Sequence, residues 1–171
     1  MPSVGLGTLK PIFRHIGSAS QYNNEDQVGE AVRDSGLSRE TVWITTKVDN
    51  PWHHRVVESV DQSLAAVGFD CIDLFLMDWP IAEIQRVLAS GRVPNIGVSN
   101  LGIRSMEKLP SHSECHVVPA VSRIELHACC LCDRLVDFCR QRGIHCTAYS
   151  PLAFGLLQLY ERASKTPQKI L

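Results

Sequence analysis

A chain of 171 residues can bury one core of ordinary size, and its length fits a single domain over residues 1–171. Hydrophobic residues make up 44% and charged residues 20%, and a formal net charge of −1 gives no electrostatic reason to expect nucleic acid or an anionic membrane as partner. No apolar run approaches the roughly 20 residues that span a bilayer, and the opening MPSVGLGTLK lacks the basic-then-apolar pattern of a secretory signal, so a cytoplasmic protein is expected.

The first strand is expected at residues 4–7 and the second at 13–16. About six residues lie between them, too few for a crossover helix between parallel strands, which needs a dozen or more. A first crossover helix is therefore missing. Asn23 or Asn24 is placed to cap a helix carrying Val28, Ala31 and Val32 and ending near Gly36. Residues 42–46 form the third strand. Asn50-Pro51 reads as N-cap and first helical position, with Val57, Val60, Leu64 and Val67 on one face and Gly68 as the stop.

Ile72, Leu74 and Leu76 mark the fourth strand, a short helix covers 82–89, and 96–98 is the fifth strand. A brief helix with Ile103, Met106 and Leu109 precedes the sixth strand at 119–124. Leu131, Leu135, Phe138 and Cys139 mark a helical face closing at Gly143, and 144–148 is the seventh strand. A helix over 156–164 and the start of another at Thr166-Pro167 complete the pattern. Repeated strand–helix units of this kind predict a parallel α/β sheet with its site at the carboxyl ends of the strands.

Those ends carry chemically useful side chains. ITTK ends in Lys47, LFLMD in Asp78, IGVSN in Ser99 and Asn100, and TAYS in Tyr149 and Ser150. His15, in an apolar strand, reads as a satisfied core histidine, and His53 and His54 as solvated. Trp43 and Trp79 fill core or cleft space, with Trp79 placed to line a substrate pocket. The seven cysteines are an odd count, which argues for free thiols. Cys71 and Cys146 read as small core residues. Cys129, Cys130 and Cys132 follow His127 closely, but C-C-x-C is tighter than the usual zinc spacing and no second pair follows, so no metal is expected.

Segments along nearly the whole chain resemble one family, the aldo-keto reductases. GLGT at Gly5 to Thr8 looks like that family's opening strand, and RHIGSASQYNNEDQVGEA is similar to its (Y/F)RHIDTAxxYxNExxVGxA. WITTKV supplies a third-strand lysine, LFLMDWP resembles LxLxHWP, and GRVPNIGVSN resembles GKVRxIGVSN. PAVSRIELH is similar to PAVNQxELH, and GIHCTAYSPL to GIxxxAYSPL. The motifs stand in order at workable spacings, which makes the resemblance specific.

The resemblance implies an NADPH-dependent (β/α)₈ TIM barrel that reduces small-molecule carbonyls. In the family a tyrosine gives the proton while the nicotinamide gives hydride. A lysine paired with an aspartate lowers the tyrosine's pKa, and a histidine orients the carbonyl. A free phenol titrates near about 10, so a neighbouring ammonium is needed to make it a useful acid. Carried over, the proton donor is Tyr22 and its lysine is Lys47. Ser99 and Asn100 match the carboxamide-binding pair, Tyr149 the aromatic stacked on the nicotinamide, and Ser150 and Leu152 the pyrophosphate loop.

Three positions depart from the family. Gly17 stands where the aspartate is expected, Asp78 where the histidine is, and Arg123 where a glutamine completes the nicotinamide set. An ionised Asp78 would repel a carbonyl oxygen, whereas a protonated one can donate to it. The steroid double-bond reductases of the family carry a glutamic acid there, which extends the substrate expectation to enones. A full barrel takes roughly 250 residues, so an incomplete (β/α)₈ barrel is expected, without its first crossover helix and eighth βα unit. The strand edges this exposes invite self-association. Two alternatives to the reductase are a catalytically inactive relic serving as a binding or scaffold protein, and a metal or thiol site at Cys129, Cys130 and Cys132.

Overall fold

The structure, a computed structural model, describes residues 14–48, 55–77, 84–109 and 117–153. The strand expected at 4–7, the Asn50-Pro51 cap, His53, His54, Asp78, Trp79 and the helices expected beyond residue 155 lie outside these residues.

Among the described residues, strands and helices alternate as β1 (His15–Gly17), α1 (Glu25–Asp34), β2 (Trp43–Lys47), α2 (Val56–Val67), β3 (Leu74–Met77), α3 (Ile84–Ala89), β4 (Ile96–Ser99), α4 (Ile103–Lys108), β5 (Val121–Glu125), α5 (Asp133–Gln141) and β6 (His145–Tyr149). The strands pair in parallel and in chain order, β1 through β6, as one sheet. Consecutive parallel strands joined by helices on one face curl the sheet into an incomplete (β/α)₈ barrel.

Side-chain alternation sorts each strand into a helix-facing and an interior set. Ile16 and Ile44 pack with Val32 of α1, and Phe75, Met77 and Ile96 pack with Val56, Val60 and Leu64 of α2. Val98 packs with Met106 of α4 and Phe138 of α5. The alternate residues Leu74, Leu76 and Val121 cluster with Trp43 on the interior. By the same alternation Gly17, Lys47, Ser99, Arg123, Glu125 and Tyr149 belong to the interior set, each at or near the carboxyl end of its strand.

Polar anchors fix the amino ends. An Asp73 carboxylate oxygen accepts from the Arg39 guanidinium at 2.6 Å and from the Ile44 amide at 2.8 Å, tying β2 to the approach of β3. The Arg39 guanidinium also stacks over Phe69, 5.4 Å from its ring centre. Gly29 of α1 lies against the carbonyl end of α2, where a Cβ would stand 1.9 Å from the Val67 oxygen. That contact sets how closely the first two helices approach.

Several boundaries differ from expectation. Asn24 is the N-cap of α1, but its side chain makes no capping bond; its Oδ1 instead accepts from the Ser18 hydroxyl at 2.6 Å. The helix expected to include Leu131 begins only at Asp133, because Cys132 takes a left-handed backbone (φ 49°), and Leu131 is 57% exposed. Gly68 ends α2 as expected, with φ 68° and its amide bonded to the Leu64 carbonyl. No helix among the described residues is long and apolar enough to cross a membrane.

Candidate active site

Tyr22 closes a short 3₁₀ turn, Ser20–Tyr22, that follows β1. The turn hangs on fully buried Ala19, whose carbonyl accepts the Tyr22 amide at 2.9 Å. Asn23 ends it in the left-handed region, which Asn tolerates better than most residues. The Ser20 hydroxyl donates to the Lys47 carbonyl at 3.1 Å and so binds the turn to the carboxyl end of β2. The structure thus brings the two expected catalytic residues to one corner of the barrel mouth. Ser20 is a positioning group that the motif reading did not single out. Tyr22 is 54% exposed, with its phenol at the rim rather than in the packed interior.

Gly17 ends β1, in register with Thr45 two residues before Lys47. Among the described residues, a Cβ built there meets nothing within 4 Å. Its neighbour Ser18 continues the ladder by donating its amide to the Thr45 carbonyl at 2.8 Å. Below this layer, His15 is buried with Nε2 2.8 Å from the Thr45 hydroxyl. Burial, then the nearby Arg123 charge, pushes its pKa below the usual imidazole value. His15 is the satisfied core histidine its surroundings predict.

The opposite side of the mouth gathers the residues expected to hold a cofactor. Ser99 is buried at the end of β4, level with Arg123 on β5, which is level in turn with Thr147 on β6. Asn100 turns away in a left-handed conformation, φ 57°, its amide donating to the Arg123 carbonyl at 3.0 Å. The Tyr149 hydroxyl donates to Asn100 Oδ1 at 2.8 Å. The Arg123 guanidinium lies 6.0 Å from the Tyr149 ring centre, within cation–π range. Asn100, Arg123 and Tyr149 are therefore one linked group beside Ser99. Ser150 and Ala153 adopt left-handed backbones just after β6, and Leu152 is 75% exposed. Asp78 and Trp79, expected at the substrate side, lie outside the described residues.

The loop after β5 holds a second cluster. His127 Nε2 lies 2.9 Å from a Glu125 carboxylate oxygen, while Cys130 Sγ and Cys132 Sγ are 3.5 Å apart. Among the described residues, no group of three or more His, Cys, Asp or Glu side chains is disposed to hold a metal ion. The half-buried Cys71 and Cys146 have their thiols pushed up, chiefly by burial, Cys146 to about 12.

Comparison with known proteins agrees with this geometry. The model of the Aldo/keto reductase family matches residues 9–169. Glycerol 2-dehydrogenase (NADP(+)) of Saccharomyces cerevisiae is 32% identical over 203 residues, covering 89% of this chain and 65% of that protein. D-galacturonate reductase of Hypocrea jecorina is 32% identical over 201 residues, covering 89% and 64%. The chain thus spans just under two thirds of the length of these relatives. Among solved structures, an aldo-keto reductase enzyme from a Medee basin deep-sea metagenome library superposes with a TM-score of 0.81 at 27% identity, over 97% of this chain and 74% of that one. A Bombyx mori aldo-keto reductase in complex with NADP superposes with a TM-score of 0.75 at 32% identity, over 81% and 52%. Strand order, mouth residues and these matches concur: the chain belongs to the aldo/keto reductase family.

Proposed function

We propose that this chain is an NADPH-dependent oxidoreductase that reduces an aldehyde, a ketone or an enone, with Tyr22 as proton donor. The observation that carries this reading is the Ser20 to Lys47 bond, which holds the Tyr22 turn against the strand end bearing the lysine. Across the mouth stand a hydroxyl, a carboxamide, an aromatic ring and a cation: Ser99, Asn100, Tyr149 and Arg123. That donor set fits a nicotinamide, whose carboxamide needs hydrogen-bond partners and whose ring needs a flat apolar face. When bound, NADPH would supply the hydride.

The chain's residues would divide the remaining work. Tyr149, oriented by Asn100, offers its ring as a stacking platform. Ser99 and Asn100 would hold the carboxamide, while Ser150 and Leu152 belong to the loop assigned to the pyrophosphate. Arg123, a fixed cation beside the platform, favours a neutral reduced ring over a cationic oxidised one. Tyr22 gives its proton to the substrate oxygen as negative charge develops there, and Lys47 stabilises the phenolate left behind. The family resemblance assigns Asp78 and Trp79 to the substrate side, where a protonated Asp78 would donate to the same oxygen.

Gly17 favours a second reading, an inactive relic that serves as a binding scaffold, because the position where the family carries an aspartate has no side chain here. The two readings separate by substitution. At Gly17→Asp the added Cβ meets nothing within 4 Å among the described residues, and no left-handed backbone strains it. If the site is assembled, this change, with Asp78→His added, raises kcat/KM for NADPH-dependent carbonyl reduction by about tenfold or more, the equivalent of about one pKa unit of electrostatic help. Cofactor absorbance followed with a panel of aldehydes, ketones and enones reads the result. No rise in a folded double variant would favour the relic.

A further inference from the structure

We propose that Cys130 and Cys132 form a redox-modifiable dithiol, which a hydroperoxide oxidises to a disulfide at the rim of the barrel. This inference stands apart from the reductase reading, since it needs neither cofactor nor carbonyl substrate. The two sulfurs are already in contact at 3.5 Å and must close to about 2.05 Å to bond. Both residues are half-buried, so they are held yet reachable.

Their positions are fixed from both sides. The Cys130 amide donates to the His127 carbonyl at 2.8 Å, and the His127 amide donates to the Cys130 carbonyl at 3.1 Å, which closes the turn into a small bridge. Cys132 is locked in the left-handed region at the start of α5, where its carbonyl accepts the Leu135 and Val136 amides. Its Sγ also lies 3.8 Å from the Glu125 carbonyl. The pair is thus organised by its own loop, and little conformational freedom remains to be lost when the bond forms.

The chemistry balances with a hydroperoxide as the named oxidant. One thiolate attacks the outer oxygen of the peroxide; the O–O bond breaks, and an alcohol or water leaves after taking a proton. The resulting sulfenic acid is attacked by the second thiolate. Its S–O bond breaks, hydroxide leaves and takes a proton to become water, and the S–S bond forms. Two thiols lose two electrons to the peroxide. The hydrogen bond shared with Cys132, followed by desolvation, pushes the Cys130 thiol up. Cys139 and Cys146 are also adjacent, but Cys139 is fully buried and Cys146 keeps its proton to about 12, which withholds them from the same reaction.

Hydrogen peroxide added to the folded chain, followed by thiol titration in denaturant and peptide mapping, tests the proposal. Of the seven cysteines, two should be lost, mapped to a Cys130–Cys132 bridge and recovered with dithiothreitol. Cys130→Ser and Cys132→Ser should each abolish the bridge, and Cys129→Ser should leave it intact. The proposal is overturned if all seven thiols still titrate, if the bridge maps to Cys129 or to Cys139 and Cys146, or if the loss is not reversed by the thiol.

Discussion

Tyr22→Phe is expected to lower kcat for carbonyl reduction by about 10²–10⁴-fold, the range that a positioned general acid contributes. The substitution removes one hydroxyl from a side chain that is more than half exposed. The hydrogen bonds that shape its turn, Tyr22 amide to Ala19 carbonyl and Ser20 hydroxyl to Lys47 carbonyl, do not involve the phenol. Thermal stability should therefore stay within a degree or two of the parent, roughly the half-kcal/mol scale of ordinary surface changes. NADPH affinity should also hold, because the residues assigned to the cofactor stand across the mouth. A fall in kcat with KM for the cofactor unchanged is the signature of a group acting in the chemical step. Turnover equal to the parent's would move proton delivery elsewhere.

Gly29→Ala should be the most damaging small change in the scaffold. In an exposed helix, alanine would be preferred to glycine by about 1 kcal/mol. Here the added carbon would stand 1.9 Å from the Val67 carbonyl oxygen and 2.6 Å from its carbon. Both are backbone atoms in the last turn of α2, so no side-chain rotation relieves the clash. The helices must separate, which loosens α1 from Val67 and the Arg33 bond to the Val67 carbonyl at 3.0 Å. Overpacking of this kind costs about 3 kcal/mol, so the clash outweighs the propensity gain. For a domain of this size the net loss corresponds to a Tm lower by roughly 4–8 °C. A Tm equal to or above the parent's in thermal melts would show that the interface is looser than the structure indicates.

The alternating apolar runs made most of the architecture legible in the sequence. Every strand expected from residue 13 onward is present within a few residues, because a buried parallel strand announces itself as a dense Val, Ile and Leu run. Helix ends were legible where glycine stops them, as at Gly68. Local hydrogen bonding was not. Asn24 sits at a helix start as its type predicts, yet its side chain is taken by Ser18, a choice made by the turn before it. Leu131 fits a helical period but falls outside α5, because the left-handed Cys132 resets the chain. The residues proposed for the site stand at strand ends, where a parallel α/β sheet concentrates its chemistry. Ser20 and the contact between Cys130 and Cys132 were not legible, since each depends on which residues a loop folds together. The close approach at Gly29 is invisible without the neighbouring helix.

We propose a working nicotinamide site, within the span of this chain, at the side of the mouth built by Ser99, Asn100, Arg123 and Tyr149. Titration of purified, folded protein with NADPH, followed by fluorescence quenching at several salt concentrations, tests it most directly. Saturable binding is expected, weakening with salt and weakening further in Tyr149→Ala as the stacking platform is lost, by about 1 kcal/mol or some fivefold in Kd. Absence of quenching by a sample shown to be folded would contradict it and leave the family's scaffold without the family's cofactor.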